Sequence, residues 1–153
     1  MARRYHFSSR WVIKARQQAV WDILSDTHGW SSWWGGVTNV LTTGGRQPKA
    51  DDHVSGTWHA LAGYDLALEL VMTVVQSPAV IAFTTTGDLD GEGRWSLSET
   101  SDGTIIDIDW DVVTTKPWMN RLAPVLGPLF AFSHKRLMSQ GERGLQRLVA
   151  RSR

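Results

Sequence analysis

Between Val37 and Thr115 the chain repeats short segments in which apolar and polar residues alternate. The alternation is cleanest in Leu66–Val75 and Thr104–Thr114, where the residues on one face are almost all aliphatic or tryptophan. Such alternation is typical of an antiparallel strand that has one buried face and one face in water. This part of the chain therefore predicts a sheet with one apolar side.

Turn residues divide this region into six strands, and a further strand precedes it at Tyr5–Ile13. Two short helical segments lie in between, Arg16–Ser25 and a turn that holds Trp30, Trp33 and Trp34 on one side. The last segment, Pro128–Val149, has helical spacing. The predicted fold class is α+β: a seven-stranded antiparallel sheet wrapped around a long C-terminal helix, with two short helices after strand 1. The six later strands are predicted at Val37–Leu41, His53–Ala60, Leu66–Val75, Val80–Thr86, Gly93–Glu99 and Thr104–Thr114.

Length and charge narrow the class of protein. The chain has 153 residues, which fits a single domain over residues 1–153, and it has no cysteine for disulfides or zinc. A net charge of +1 argues against a nucleic-acid-binding protein. The charge is unevenly spread, with twelve acids and one basic residue between Asp51 and Asp111, and fifteen basic residues and three acids outside. We expect the basic ends to fold back on the acidic middle.

The sequence carries no targeting signal that we recognise. No stretch approaches the roughly 18–20 apolar residues that cross a bilayer. After Arg3 and Arg4, polar residues interrupt the region where a signal peptide needs an apolar run of about 7–15 residues. The prediction is a cytoplasmic protein.

Nine tryptophans must either fill a core or line a cavity. One helix is only about 10 Å wide, so it cannot fill the concave side of a seven-stranded sheet. Because each indole N–H needs a hydrogen-bond partner, tryptophans that converge on such a space favour an aromatic-lined pocket. The concave-side tryptophans are predicted to be Trp11, Trp58, Trp95 and Trp110, with Trp33, Trp34 and Trp118 at the mouths.

The sheetward side of the long helix mixes large residues with Ser133, Gly141 and Gly144. Small residues at such a face either allow close packing or leave space. The pattern leaves both alternatives open.

Five segments, taken in order, carry a resemblance to a known superfamily: Phe7–Trp21, Trp30–Val37, Gly87–Trp95, Trp110–Trp118 and His134–Leu145. They resemble the START-like, helix-grip superfamily, and within it the polyketide cyclase/dehydrase (SRPBCC) group. Relatives usually have Asn before the histidine of the last segment, where this chain has Ser133. The resemblance implies a deep cavity between sheet and helix for an apolar ligand. It does not imply an enzyme, because the superfamily contains carriers as well as aromatase/cyclases.

The first hypothesis is the binding of a small apolar molecule, lipid-like or aromatic and polyketide-like, beneath the long helix. Trp33 and Trp34 would gate the pocket, and Tyr64 and Trp118 are expected near its entrance. The predicted lining residues are Trp58, Leu68, Met72, Trp95, Trp110, Phe130 and His134.

Two further hypotheses remain. A cyclase or dehydratase in the same pocket needs a positioned acid or base. The concave faces are almost wholly apolar, which leaves entrance residues such as Tyr64 or helix residues such as His134, so this hypothesis ranks below binding. A membrane-surface or protein-partner module would use Arg143, Arg147 and Arg151, which share one helix face. A solvated face is the simpler interpretation of those arginines.

The histidines do not predict a metal site. His53 and His59 share a strand face but lie about 20 Å apart, so they cannot bind one metal together. His134 is assigned a structural role, as a hydrogen-bonding helix residue. No metal and no cofactor is predicted.

Three acids alternate on one strand: Asp107, Asp109 and Asp111. The spacing places them on the outer, solvent side of the sheet, away from any pocket. In the helix-grip order the first and last strands are neighbours, so Arg10 and Arg94 are expected to flank this acidic stripe.

Overall fold

The computed structural model describes residues 4–59, 65–115 and 117–151. Its strands form one antiparallel sheet in the order β1-β7-β6-β5-β4-β3-β2, so the first and last strands are neighbours. This confirms the predicted seven-stranded sheet. The strands are β1 (Arg4–Ile13), β2 (Val37–Thr42), β3 (His53–His59), β4 (Asp65–Gln76), β5 (Val80–Gly87), β6 (Leu89–Thr100) and β7 (Gly103–Thr114).

The two short helices after β1 and the long C-terminal helix are also confirmed. The helices are α1 (Gln17–Leu24), α2 (Trp30–Trp33), α3 (Pro117–Arg121) and α4 (Ala123–Arg151), and a single 3-10 turn, Thr27–Gly29, precedes α2. None of the helices in the described part of the chain is long and apolar enough to cross a membrane.

The long helix begins earlier than the predicted start at Pro128. α4 has 29 residues and continues through Pro128. Pro124 lies in its first turn, where a backbone N–H would have no acceptor within the helix, so a proline there costs nothing. Pro124 therefore marks the start that the pattern assigned to Pro128.

α4 closes part of the sheet edge at β1. Glu142 and Gln146, one turn apart, accept hydrogen bonds from the backbone N–H groups of Val12 (2.8 Å) and Lys14 (2.9 Å). Since β1 is an edge strand, these N–H groups have no further strand to bond. The helix side chains satisfy them and hold α4 in register with β1.

The acidic stripe of β7 lies on the outer face of the sheet, as predicted. Arg10 stands opposite Asp107 in the β1–β7 register and forms an ion pair with it at 2.8 Å. Arg4 pairs with Asp111 at 2.9 Å, and the Ser8 hydroxyl donates to Asp109 at 2.7 Å. These pairs are exposed, so each contributes about 0–1 kcal/mol at most.

Five tryptophans form one buried cluster under the second half of α4. Trp34 is its centre: its ring lies 5.5 to 5.9 Å, between centroids, from each of the other four. The Trp34 Nε1 group donates a hydrogen bond to the carbonyl of Leu137 on α4, at 3.0 Å. The tryptophan cluster consists of Trp11, Trp30, Trp33, Trp34 and Trp95.

Two glycines allow α4 to reach this cluster. A Cβ added at Gly141 would lie 2.6 Å from the Trp11 ring and 2.8 Å from the Trp34 ring. A Cβ added at Gly144 would overlap the carbonyl oxygen of Trp33. Of the two alternatives that the small residues left open, close packing holds at Gly141 and Gly144.

Candidate ligand-binding cavity

A cavity of about 80 Å³ lies between the sheet and the first half of α4. Alternation on β3, β4 and β7 turns Trp58, Leu68 and Trp110 toward it, and helical spacing brings Phe130 and His134 from α4. Nearly all the lining atoms belong to aromatic or aliphatic side chains. The chemistry of the wall suits an apolar molecule.

Three of the side chains that line the cavity also carry a buried polar hydrogen with no acceptor in the described part of the chain. The Tyr5 hydroxyl and the Trp58 and Trp110 Nε1 groups have no hydrogen-bond partner among the described residues. An unsatisfied buried donor costs about 1–3 kcal/mol. Trp33 and Trp95 in the tryptophan cluster also have unpaired N–H groups. An unpaired indole alone does not therefore mark a ligand site, and the adjoining cavity is what distinguishes Tyr5, Trp58 and Trp110.

An aromatic stack forms the β1 side of the wall. The Phe7 ring stacks on Tyr5 at 5.9 Å and on the His134 imidazole at 4.4 Å, with interplanar angles of 10° and 15°. Phe130 meets Tyr5 edge-on at 5.5 Å. These contacts hold the Tyr5 and His134 rings in fixed orientations.

His134 is neutral at physiological pH. Burial lowers its pKa from 6.5 to about 4, because the charged imidazolium loses hydration in this position. Its Nε2 atom lies 3.3 Å from the Ser9 hydroxyl. A neutral imidazole donates a hydrogen bond through one ring nitrogen and accepts one through the other, and a pKa of about 4 makes His134 a weak base at pH 7.

Five of the residues predicted from the sequence line this cavity: Trp58, Leu68, Trp110, Phe130 and His134. Three others lie in the packed core instead. Met72, Trp34 and Trp95 are each 1% exposed and lie in the packed core. That any of these side chains contacts a ligand stays a prediction, and the core packing of Met72, Trp34 and Trp95 does not favour it.

The residues predicted at the mouths lie elsewhere. Trp33 stacks on Trp34 at 5.6 Å in the tryptophan cluster and does not line the cavity. The packing therefore does not support a gate formed by this pair. Trp118 is 43% exposed on α3 and is also outside the lining. Tyr64 lies outside the described residues.

Sequence reasoning missed nine residues of the wall: Tyr5, Phe7, Leu66, Leu89, Val112, Met119, Ser133, Leu137 and Met138. The sequence does carry a signal for Tyr5 and Phe7, because the alternation of β1 places both on its inward face. Ser133 is one of the small residues for which close packing or empty space was left open, and it borders the cavity. Met119 lies on the five-residue α3, which is too short to show a helical period.

The remaining histidines belong to the outer surface. His53 pairs with Glu69 at 2.8 Å, and His59 pairs with Asp65 at 2.6 Å, with all four side chains partly exposed. No group of three or more histidine or acidic side chains within residues 4–59, 65–115 and 117–151 is placed to hold a metal ion.

Solved structures with the same fold match nearly the whole chain. The aromatase/cyclase Zhui from a Streptomyces species is 15% identical, with a TM-score of 0.76, over 97% of this chain and 95% of that protein. The protein TTHA0849 from Thermus thermophilus is 16% identical, with a TM-score of 0.70, over 97% of this chain and 99% of that protein. At these identities the likeness shows the fold alone.

A third similar structure is longer than this chain. The di-domain ARO/CYC BexL from the BE-7585A biosynthetic pathway is 19% identical, with a TM-score of 0.71, over 94% of this chain. The chain spans about half of BexL, 49% of its length. A search of curated proteins found no match.

The sequence itself matches a family model. The family described as polyketide cyclase / dehydrase and lipid transport matches residues 4–153. This range includes every element that forms the cavity, from β1 to α4. The chain therefore belongs to the polyketide cyclase/dehydrase and lipid transport family and has its helix-grip fold.

Proposed function

We propose that this protein binds a small apolar ligand that carries a hydrogen-bond acceptor, in the cavity between the sheet and α4. The observation that carries this proposal is the chemistry of the wall. It is apolar, yet three of the side chains that line it, Tyr5, Trp58 and Trp110, carry buried polar hydrogens without partners among the described residues. A ligand carbonyl, ether or hydroxyl oxygen can accept from such groups, whereas a pure hydrocarbon cannot.

The size of the cavity sets a condition on binding. Its volume of about 80 Å³ is well below the roughly 300–1,000 Å³ of ordinary ligand pockets. A ligand larger than a few water molecules therefore requires the wall to widen. The part best suited to move is α3 with the start of α4, which supplies Met119 and Phe130 and has a solvent-exposed outer side.

The proposal can be tested with two probes of nearly equal shape, acetonaphthone and ethylnaphthalene, which differ in one carbonyl oxygen. Equilibrium dialysis should show the ketone binding about fivefold more tightly, the effect of one net hydrogen bond of about 1 kcal/mol. Tyr5→Phe and Trp110→Phe, which remove the polar hydrogens but keep aromatic rings, should reduce this preference.

Trp95→Phe is the matched control. It makes the same substitution at a buried indole that also lacks a partner but does not line the cavity. The preference for the ketone should survive in this variant. Failure of the wild-type protein to bind either probe, or an equal loss of preference in Trp95→Phe and Trp110→Phe, would contradict the proposal.

A cyclase or dehydratase reaction in the same cavity is the second candidate. The family match and the neutral His134 imidazole on the wall favour it. Against it, the described lining contains no carboxylate, and His134 is a weak base at pH 7.

The test is chemical. A poly-β-ketone thioester incubated with the protein should lose water as rings form, seen by mass spectrometry, and His134→Phe should slow that loss. A product pattern identical to that of the protein-free solution would rule out this activity for that substrate.

A further inference from the structure

Exposed apolar side chains are concentrated in one segment of the chain. Among the described residues, six large hydrophobic side chains are exposed, and four of them lie between residues 118 and 132. Val125 is 74% exposed and Phe132 is 56% exposed. The four are Trp118, Leu122, Val125 and Phe132.

Val125 and Phe132 share a face of α4 that continues toward the C-terminus as a row of arginines. With about 3.6 residues per turn, positions 125, 132, 136, 143 and 147 lie within roughly 60° of one another around the helix. Arg136, Arg143 and Arg147 are exposed. We name the docking face as Trp118, Leu122, Val125, Phe132, Arg136, Arg143 and Arg147; its α4 part is about 33 Å long.

The arginines of the docking face are not neutralised by the fold. None of the three forms an ion pair with a carboxylate of residues 4–59, 65–115 or 117–151. The single acid of α4, Glu142, instead accepts the backbone N–H of Val12 at the sheet edge. The docking face therefore combines an exposed apolar end with an uncompensated positive end.

We propose that the docking face binds the surface of an anionic lipid bilayer. Exposed aliphatic and aromatic side chains insert at the headgroup boundary, and arginines bind the charged headgroups. A bilayer offers both chemistries at one surface, which matches a face with both. A second copy of this chain fits less well, because it would bury arginines against arginines or against apolar side chains.

The position of the docking face relates the membrane to the cavity. α3 and the start of α4 carry its apolar end on their outer side and supply Met119 and Phe130 to the cavity wall on their inner side. A bilayer contact there lies next to the segment that must move for a ligand to enter. Lipid binding by the docking face does not itself require a ligand in the cavity, so its failure is separable from that of the proposed function.

The test is sedimentation with vesicles of phosphatidylcholine, with and without phosphatidylserine. The protein should sediment with the anionic vesicles only, and added salt should weaken this binding. A triple variant, Arg136→Gln, Arg143→Gln and Arg147→Gln, should bind about tenfold or more weakly, and so should the double variant Val125→Ser and Phe132→Ser.

Matched controls come from other surfaces. Leu41→Ser removes an equally exposed side chain on β2, where Leu41 is 72% exposed. The triple variant Arg16→Gln, Arg46→Gln and Arg94→Gln removes three exposed charges outside α4. Both controls should sediment like the wild type, and circular dichroism should show all variants folded.

Three outcomes overturn the proposal. The protein does not sediment with anionic vesicles, or each control loses as much binding as its matched variant. In the third outcome the arginine variant loses binding while the serine variant keeps it. That result would assign this face to charge alone, as in a site for an acidic protein.

Discussion

The two halves of α4 cover the same sheet in different ways. In the second half, Gly141 and Gly144 bring the helix against the tryptophan cluster, with no room for even one added methyl group. In the first half, Phe130, Ser133 and His134 face the sheet, and a cavity remains. Both halves face tryptophans that alternate inward from the strands. The tryptophans alone therefore do not determine where the interior is empty; the side chains that the helix presents to them do.

The largest expected effect is a difference in stability between two glycine substitutions, one in each half of α4. Gly144→Ala should lower the free energy of unfolding by about 3 kcal/mol or more, because the new methyl group overlaps the Trp33 backbone. Gly127→Ala, in the first half of the same helix, meets nothing within 4 Å and should raise it by up to about 1 kcal/mol. Urea unfolding followed by tryptophan fluorescence measures both. Equal effects of the two substitutions would remove the contrast between the halves.

The next largest effect is a pH dependence of the stability, which arises from His134 in the first half of α4. The folded state holds His134 at a pKa of about 4, against 6.5 in the unfolded chain. Between these values the unfolded state binds more protons, so stability falls as pH drops from about 6.5 to about 4, by up to about 3 kcal/mol. His134→Phe keeps an aromatic ring stacked against Phe7 but has no titratable group there. The stability of this variant should therefore not show this decrease. Urea unfolding near pH 7 and near pH 4 checks it, and parallel curves for the wild type and the variant would contradict it.

A third effect compares the same substitution in both halves. Trp34→Phe leaves a void and removes the donor to the Leu137 carbonyl, so it should cost about 1–3 kcal/mol of unfolding free energy. Trp110→Phe removes an N–H without a partner among the described residues, beside space that already exists. It should cost about 1 kcal/mol less than Trp34→Phe. Chemical denaturation of both variants decides this, and the reverse order would show that the cavity is not pre-existing space.

The smallest effect on stability comes from filling the cavity. Ser133→Val adds apolar volume beside the cavity and should leave stability unchanged or raise it by up to about 1 kcal/mol. The same change should weaken the binding of acetonaphthone, because it occupies the proposed site. Thermal unfolding and equilibrium dialysis on one preparation give both readings. A strongly destabilised Ser133→Val would mean that this half of α4 is packed as tightly as the other.

Much of the fold could be predicted because alternation and helical spacing are local properties. They gave the seven strands along the chain and the long C-terminal helix. That β1 and β7 are neighbours, which sets Arg10 against the acidic stripe, was an expectation from the family resemblance. The start of α4 was misplaced because a proline can either kink a helix or restart it, and only the folded chain shows that α4 continues through Pro128.

The candidate site could be predicted in part. Trp58, Trp110 and His134 were predicted in the lining and are found there, whereas Trp34 and Trp95 were predicted there and are found in the packed core. Alternation reveals which face of a strand points inward. It does not reveal how far along that face a helix from the other end of the chain comes into contact.

The sequence by itself determined the architecture, because each strand and helix carries its own hydrophobic period and its own turn residues. It also determined that tryptophans would fill or line the concave side of the sheet. Only the tertiary structure decided between filling and lining, since that choice depends on the distance between two surfaces. At Gly141 and Gly144 this distance is too short for a Cβ atom, and beside Ser133 it leaves a cavity.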